Sequence, residues 1–224
     1  MSLILEKYKY EKLKRVEVNG KRRYETPGGP PVASVTTILG ETKDKTHLIE
    51  WRRRVGEKKA QEITTEAAGV GTRMHKYLED YIEFGEWPQP GSNPYAQQAH
   101  MMAEQIKANA MDHVDEIWGS EVPLYVPQMY AGTTDLVGVY KGQPCIMDFK
   151  QTNRPKKVEW VEDYFLQLVA YSEAHNKMYD AQIRTGRIFI CTQNNEYQTF
   201  DIENYDEWVG KWYAKLEEYY KKIL

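Results

Sequence analysis

Asp148-Phe149-Lys150 is the tripeptide of this sequence with the most direct route to chemistry, and Asp135 precedes it across a tight turn at Lys141-Gly142. In an extended strand alternate side chains share a face, so Asp148 and Lys150 point the same way while Phe149 points into the core. Ile146 falls on the Asp148 face, which therefore changes from apolar to polar where core gives way to site. Two carboxylates brought together repel unless a positive charge lies between them, and a hard divalent cation such as Mg2+ or Mn2+ is the usual answer. Such an ion lowers the pKa of a bound water and neutralises charge on a phosphoryl oxygen. A lysine two residues on can orient that water or stabilise the pentacovalent transition state. The chemistry is that of phosphodiester hydrolysis.

A bare Asp-x-Lys arises about once by chance in a chain of this length, and alone it reads rather as a solvated hairpin with an exposed Asp and Lys. Three further features give it company. Asp135 sits on the preceding strand; Gln167 and Tyr171 are spaced i, i+4 on a following helix, so both face the same sheet end. His75, with Glu79 one turn on, lies upstream on a helix that can supply another ligand.

The ordered set Gly-Thr-x-x-His75, Glu121, Gly-Thr-Thr-Asp135, Asp148-Phe-Lys150 and Gln167-x-x-x-Tyr171 resembles the PD-(D/E)xK nuclease superfamily. More narrowly it resembles the RecB-type exonuclease branch, the group of mitochondrial genome maintenance exonuclease and its phage-encoded relatives. The segment Val32-Ala33-Ser34-Val35-Thr36-Thr37-Ile38-Leu39, followed by Trp51-Arg52, is similar to that narrower group, and the likeness spans about 32–202. The resemblance implies that His75, Asp135, Asp148 and the Phe149 carbonyl bind metal. It implies a catalytic Lys150, with Gln167 and Tyr171 lining the site, and it matches Glu121 to the family's early acidic residue. Thr134 stands where the superfamily name has proline, a departure that many RecB-type members share. The implied cofactor is one or two Mg2+ or Mn2+ ions. Cys145 and Cys191 are the only cysteines, too few for an iron–sulfur cluster.

Around these residues the pattern reads first as a hairpin, Leu13–Val18 and Lys21–Glu25 about Asn19-Gly20. Ser34 or Thr36 can cap a short helix. Helices are expected over His47–Ala68, Thr72–Phe84 after an interruption at Gly69–Gly71, and Tyr95–Trp118. The character changes at Gly119. Strands at Glu121–Val126, Gly132–Tyr140 and Pro144–Lys150, a helix at Glu159–Tyr179, strands at Arg187–Thr192 and Tyr197–Ile202, and a last helix at Tyr205–Leu224 complete the order. The expected fold is α/β, a restriction-endonuclease-like mixed sheet flanked by helices. It forms one nuclease domain: an N-terminal hairpin and helical portion (1–118), a catalytic core (119–202) and a C-terminal helix (203–224).

The chain has 224 residues, with 30 Lys and Arg against 33 Asp and Glu, a net charge of −3. No apolar run reaches the ~18–20 residues of a membrane span, no signal peptide is apparent, and a cytoplasmic protein of bacterial or phage origin is expected. The near-neutral total conceals basic clusters: eight Lys and Arg over residues 7–23, then Arg52, Arg53, Arg54, Lys58 and Lys59, then Arg154, Lys156 and Lys157. Arg52, Arg53, Lys58, Arg154, Lys156 and Lys157 are the expected phosphate contacts. Tyr125, Tyr130 and Trp160 flank the site and can stack on unpaired bases. The other histidines, His47, His100, His113 and His175, suit surface or hydrogen-bonded positions. No Gly-x-x-x-x-Gly-Lys-Ser/Thr occurs, so there is no ATP-driven motor. The expected partner is DNA, through single-stranded or free ends, in replication, recombination or repair. A structure-specific endonuclease on the same core and an inactive nucleic-acid-binding module are the alternatives.

Overall fold

The computed structural model describes residues 2–223; Met1, and Leu224 at the end of the expected last helix, lie outside the described residues. The first hairpin forms as expected. β1 (Arg15–Val18) pairs with β2 (Lys21–Tyr24) through Asn19 and Gly20, whose φ values of 53° and 72° are those a two-residue type I′ turn requires. β3 (Val32–Ala33) adds a third strand. α1 (Val35–Thr42) then starts where the Ser34 hydroxyl accepts the Thr37 N–H at 3.0 Å.

The next two helices, α2 (Thr46–Val55) and α3 (Glu57–Phe84), part at Gly56, which has a φ of 85°. The expected interruption at Gly69–Gly71 is absent: α3 runs through both glycines for 28 residues. Glycine inside a helix costs about 1 kcal/mol relative to alanine. Against that, Val70, Met74, Leu78 and Ile82 recur every fourth residue and are almost fully buried, each worth roughly 1.5–3 kcal/mol. A second correction concerns α4 (Pro94–Ala110), which stops well before Trp118. One 3-10 turn at Met111–His113 leads into β4 (Val114–Val126), so the change from helices to strands comes at Val114 rather than Gly119. Spacing of the apolar residues here fits either period, and pairing with a neighbouring strand decides it.

The central sheet has the order β4-β5-β6-β7-β8, with β5 (Tyr130–Tyr140), β6 (Gln143–Thr152), β7 (Thr185–Thr192) and β8 (Tyr197–Asp201). Only β6 and β7 run parallel, joined by the crossover helix α5 (Glu162–Tyr179); the chain closes with α6 (Tyr205–Ile223). The sheet separates two apolar cores. On one face Val137, Ile146, Ile188 and Ile190 meet residues of α1, α5 and α6. On the other Leu136, Met147, Phe149 and Phe189 meet α3 and α4. This is the mixed α/β arrangement expected. Among the described residues no helix is long and apolar enough to cross a membrane.

Candidate active site

The site lies where β5 and β6 separate. Their ladder runs from Tyr140–Gln143 to Leu136–Met147, and the next position would set Asp135 against Asp148. Two carboxylates cannot close a ladder comfortably, and the side chains take over from the backbone. The Phe149 N–H donates to Asp135 Oδ2 at 2.7 Å. Phe149 itself turns into the α3/α4 core, stacked near Phe189, while Asp148 and Lys150 share the other side and form an ion pair. The alternation expected for this tripeptide is therefore realised.

Helices on both faces of the sheet deliver residues to this gap. From α3, His75 places Nδ1 3.4 Å from Asp135 Oδ1. From α5, the buried Tyr171 ring presses on Gly132, where an added Cβ would meet Tyr171 Cε1 at 2.7 Å. Gly132 thus opens the Gly-Thr-Thr-Asp run because only a residue without a side chain admits that ring. Gln167, one turn earlier on α5, is half-buried. Tyr164 lies beneath Lys150, its ring centroid 5.2 Å from Nζ.

Glu121 has a place in the ordered set of the sequence but no expected role in metal binding there. Its chain neighbours Ser120 and Val122 pair with Leu136 and Thr134, so Glu121 stands across from Asp135 on the neighbouring strand. Its φ of 49° is left-handed, a conformation that costs a non-glycine residue energy and that concentrates at functional positions. One potential ligand atom each from His75, Glu121 and Asp135 falls within 4.8 Å of the others. An imidazole and two carboxylates so placed are a donor set that can hold a divalent metal ion. Asp148, expected as a ligand, is outside this trio; its carboxylate is engaged by Lys150.

Electrostatics agree with the crowding of charge. Burial alone would raise Asp135, but the His75 and Lys150 charges and the Phe149 N–H hold it below the usual carboxylate range. Burial opposes the charged form of His75, and the Asp135 carboxylate overrides it, lifting the imidazole to about 9. Glu121 stands at the exposed edge of the site, where partial desolvation and the Asp135 charge raise it to about 7. Burial raises Asp148 to about 6 despite Lys150. Lys150 is itself pushed up, since Asp148 and Asp135 outweigh its own burial. Protonated His75 and the Lys150 ammonium therefore supply the positive charge among the carboxylates. A cleft of about 600 Å³ opens beside them, lined by Ala67, Gly71, Thr72, Glu79, Glu121 and Gln151 among others.

The residues expected to meet DNA are scattered more widely. Trp160 is 56% exposed, with Lys157 Nζ 5.3 Å from its ring centroid. Arg154 and Lys157 are exposed and Lys156 half-buried, on a loop that the Gln198 side chain fixes by bonding both N–H and C=O of Lys156. Arg52 is half-buried and paired with Glu57 at 2.7 Å, whereas Arg53 and Lys58 are exposed near Gly56. Lys58 is 17 residues before His75 on the same helix, about 25 Å at 1.5 Å per residue.

Tyr130 is a correction: fully buried, it donates to the Ala170 carbonyl at 3.0 Å and meets Trp212 edge-on, so it offers no face to a base. The basic arm is partly spent within the fold. Lys14 pairs with Glu25, Lys21 with Glu41, and Lys7 lies over Trp118. His100 and His175 are buried and bonded, to the Pro88 carbonyl and the Tyr10 hydroxyl respectively, as expected of histidines outside the site.

No family model matches the chain. It is 28% identical over 211 residues to mitochondrial genome maintenance exonuclease 1 of Xenopus tropicalis, covering 85% of this chain and 58% of that protein. The same-named protein of Homo sapiens is 27% identical over 205 residues, covering 85% and 59%. The chain thus spans about three-fifths of the relatives it matches. Among solved structures, a candidate exonuclease from Eubacterium rectale superposes with a TM-score of 0.52 at 15% identity, over 70% of this chain and 66% of that one, which supports the fold. The resemblance carried by the ordered residues holds along most of the sequence: this chain is similar to a nuclease family typified by mitochondrial genome maintenance exonuclease 1.

Proposed function

We propose that this protein is a metal-dependent deoxyribonuclease of the PD-(D/E)xK, RecB-like type that hydrolyses DNA from an end, with a preference for single strands. The observation that carries the reading is the convergence of His75, Glu121 and Asp135 beside the Asp148–Lys150 pair, in a chain similar to named exonucleases. His75, Glu121 and Asp135 would hold Mg2+ or Mn2+, with the Asp148 carboxylate close by as a further candidate ligand. The carboxylates suit both ions, and the imidazole favours Mn2+. When bound, such an ion neutralises phosphodiester charge and makes water a stronger acid.

The protein's own groups account for the rest. Lys150 is held firmly as an ammonium, so its role is to stabilise charge on the pentacovalent phosphorus rather than to take a proton. His75 would hold such an ion only as the neutral imidazole, so its proton would pass to solvent on binding. Tyr171, packed on Gly132, forms the wall that seats the scissile linkage, with Gln167 beside it. Trp160 supplies an exposed stacking face, and Lys157, Arg154 and Lys156 supply phosphate contacts. Arg52 and Arg53, at the end of α2, and Lys58, at the start of α3, would engage the strand farther from the metal site. The relatives are named for genome maintenance, and a role in DNA replication, recombination or repair follows from that likeness.

The test is digestion of end-labelled single strands, double strands and covalently closed circular single strands, with Mg2+ or Mn2+. Shortening of linear single strands with circles left intact is expected, and Lys150→Ala should abolish cleavage while retaining DNA binding. Cutting of circles would establish an endonuclease instead, and undiminished cleavage by Lys150→Ala would remove the assignment.

A further inference from the structure

Glu121 owes its place to an irregular stretch of β4, and the N-terminal arm is packed onto that stretch. Between the pairs Ile117–Gly138 and Gly119–Val137 the strand carries one extra residue, Trp118, so the ladder slips three residues before Glu121. A bulge of this kind re-aims the side chains that follow it. The arm meets this bulge directly. Ile4 bridges to Ile117, and the Leu5 N–H donates to the Ile117 carbonyl at 2.7 Å. Tyr10 lies against Gly119 so closely that an added Cβ would come 2.5 Å from Tyr10 Cε2 and 2.6 Å from Val122 Cγ2. The same Tyr10 hydroxyl bonds His175 Nε2 at 3.0 Å, and His175 stands one helical turn after Tyr171 on α5. One ring therefore spans the bulge that presents Glu121 and the helix that presents Tyr171.

We infer that Tyr10 is a positioning residue for the metal site: by filling the space over Gly119 and anchoring on His175, it holds the bulge in the register that turns Glu121 toward Asp135. This rests on the reading of His75, Glu121 and Asp135 as metal ligands. Without the ring, β4 can relax toward a regular ladder, which relieves the left-handed backbone at Glu121 and withdraws its carboxylate. The aromatic surface is what matters. The hydroxyl bond to His175 is secondary, because Tyr8 and Tyr179 also pack against that imidazole.

Calorimetric titration with Mn2+, without DNA, separates this from general damage. Loss of a group that orients a ligand typically weakens metal binding 10–100-fold. Tyr10→Ala, and Tyr10→Leu as a bulkier version that retains apolar packing, should each weaken Mn2+ binding tenfold or more. Tyr10→Phe should bind within about threefold of the wild type. Leu216→Ala, a cavity in α6, should lower the melting temperature at least as much as Tyr10→Leu yet leave Mn2+ affinity unchanged. Wild-type affinity in Tyr10→Leu, or an equal loss in Leu216→Ala, overturns the inference. Absence of Mn2+ binding by the wild type refutes the metal reading itself, and the inference with it.

Discussion

Replacing Gly132 with alanine tests whether the Tyr171 ring is a fixed wall of the site. A Cβ at residue 132 would stand 2.7 Å from Tyr171 Cε1 and 3.1 Å from its hydroxyl oxygen, about 1 Å inside the ~3.5–4.0 Å of normal carbon–carbon contact. Neither partner can yield freely: Gly132 is in the β4–β5 ladder opposite Leu124, and Tyr171 is 3% exposed. Overpacking of this size costs about 1–3 kcal/mol. Taking about 2 kcal/mol, a chain of this length should lose about 4–8 °C in melting temperature. The same displacement of about 1 Å beside the scissile position should lower the rate about 100-fold. Thermal unfolding and single-turnover digestion of an end-labelled strand measure the two effects. Tyr171→Ala should cost less stability in the Gly132→Ala background than it does alone, without restoring the rate, a coupling that a double-mutant cycle exposes. A Gly132→Ala protein with wild-type melting and wild-type cleavage would show that Tyr171 does not constrain the site.

Other expectations follow from the charges. His75, Glu121 and Asp148 all have folded-state pKa values above their ordinary ones, at about 9, 7 and 6. Each stabilises the fold while protonated and loses that contribution as pH rises through its folded value, whereas Asp135, shifted down, loses its contribution only in acid. The metal-free protein should therefore melt at progressively lower temperature from about pH 5 to 9, and stabilisation by Mn2+ should grow over the same interval. A Glu121→Gln protein with an unaltered pH profile would refute this. Trp160→Ala should weaken single-strand binding by about 1–3 kcal/mol; Tyr130→Phe should leave binding untouched and cost about 1 kcal/mol of stability through its lost bond to Ala170. Lys157→Ala should flatten the salt dependence of DNA affinity by about one counterion, and an unchanged slope would place Lys157 off the DNA path.

Features fixed by local chemistry were legible in the sequence. Asn19-Gly20 specifies its turn, and the alternation of Ile146, Asp148 and Lys150 places core and site on one strand. Glu121 was harder. Its proximity to Asp135 depends on the β4–β5 register and on a bulge at Trp118, and no periodicity within β4 encodes either. The helix boundaries failed for a related reason. Gly56 breaks a helix and Gly69 and Gly71 do not, because only the latter are held within a helix whose neighbouring face is buried. Tyr130 and Trp160 look alike as aromatic residues flanking the site, and only packing sends one to the core and leaves the other exposed.

The burial pattern of α3 has a consequence for motion. Before Val70 the described helix buries only Ala60, whereas from Val70 onward every fourth residue is locked under α4 and the sheet. The first thirteen residues form a beam about 20 Å long that projects beyond its support, and its root lies about one and a half turns before His75. Amide exchange should divide at Val70, rapid on the free side and slow on the clamped side. A strand that bends the beam would thus leave His75, beyond the root, undisturbed.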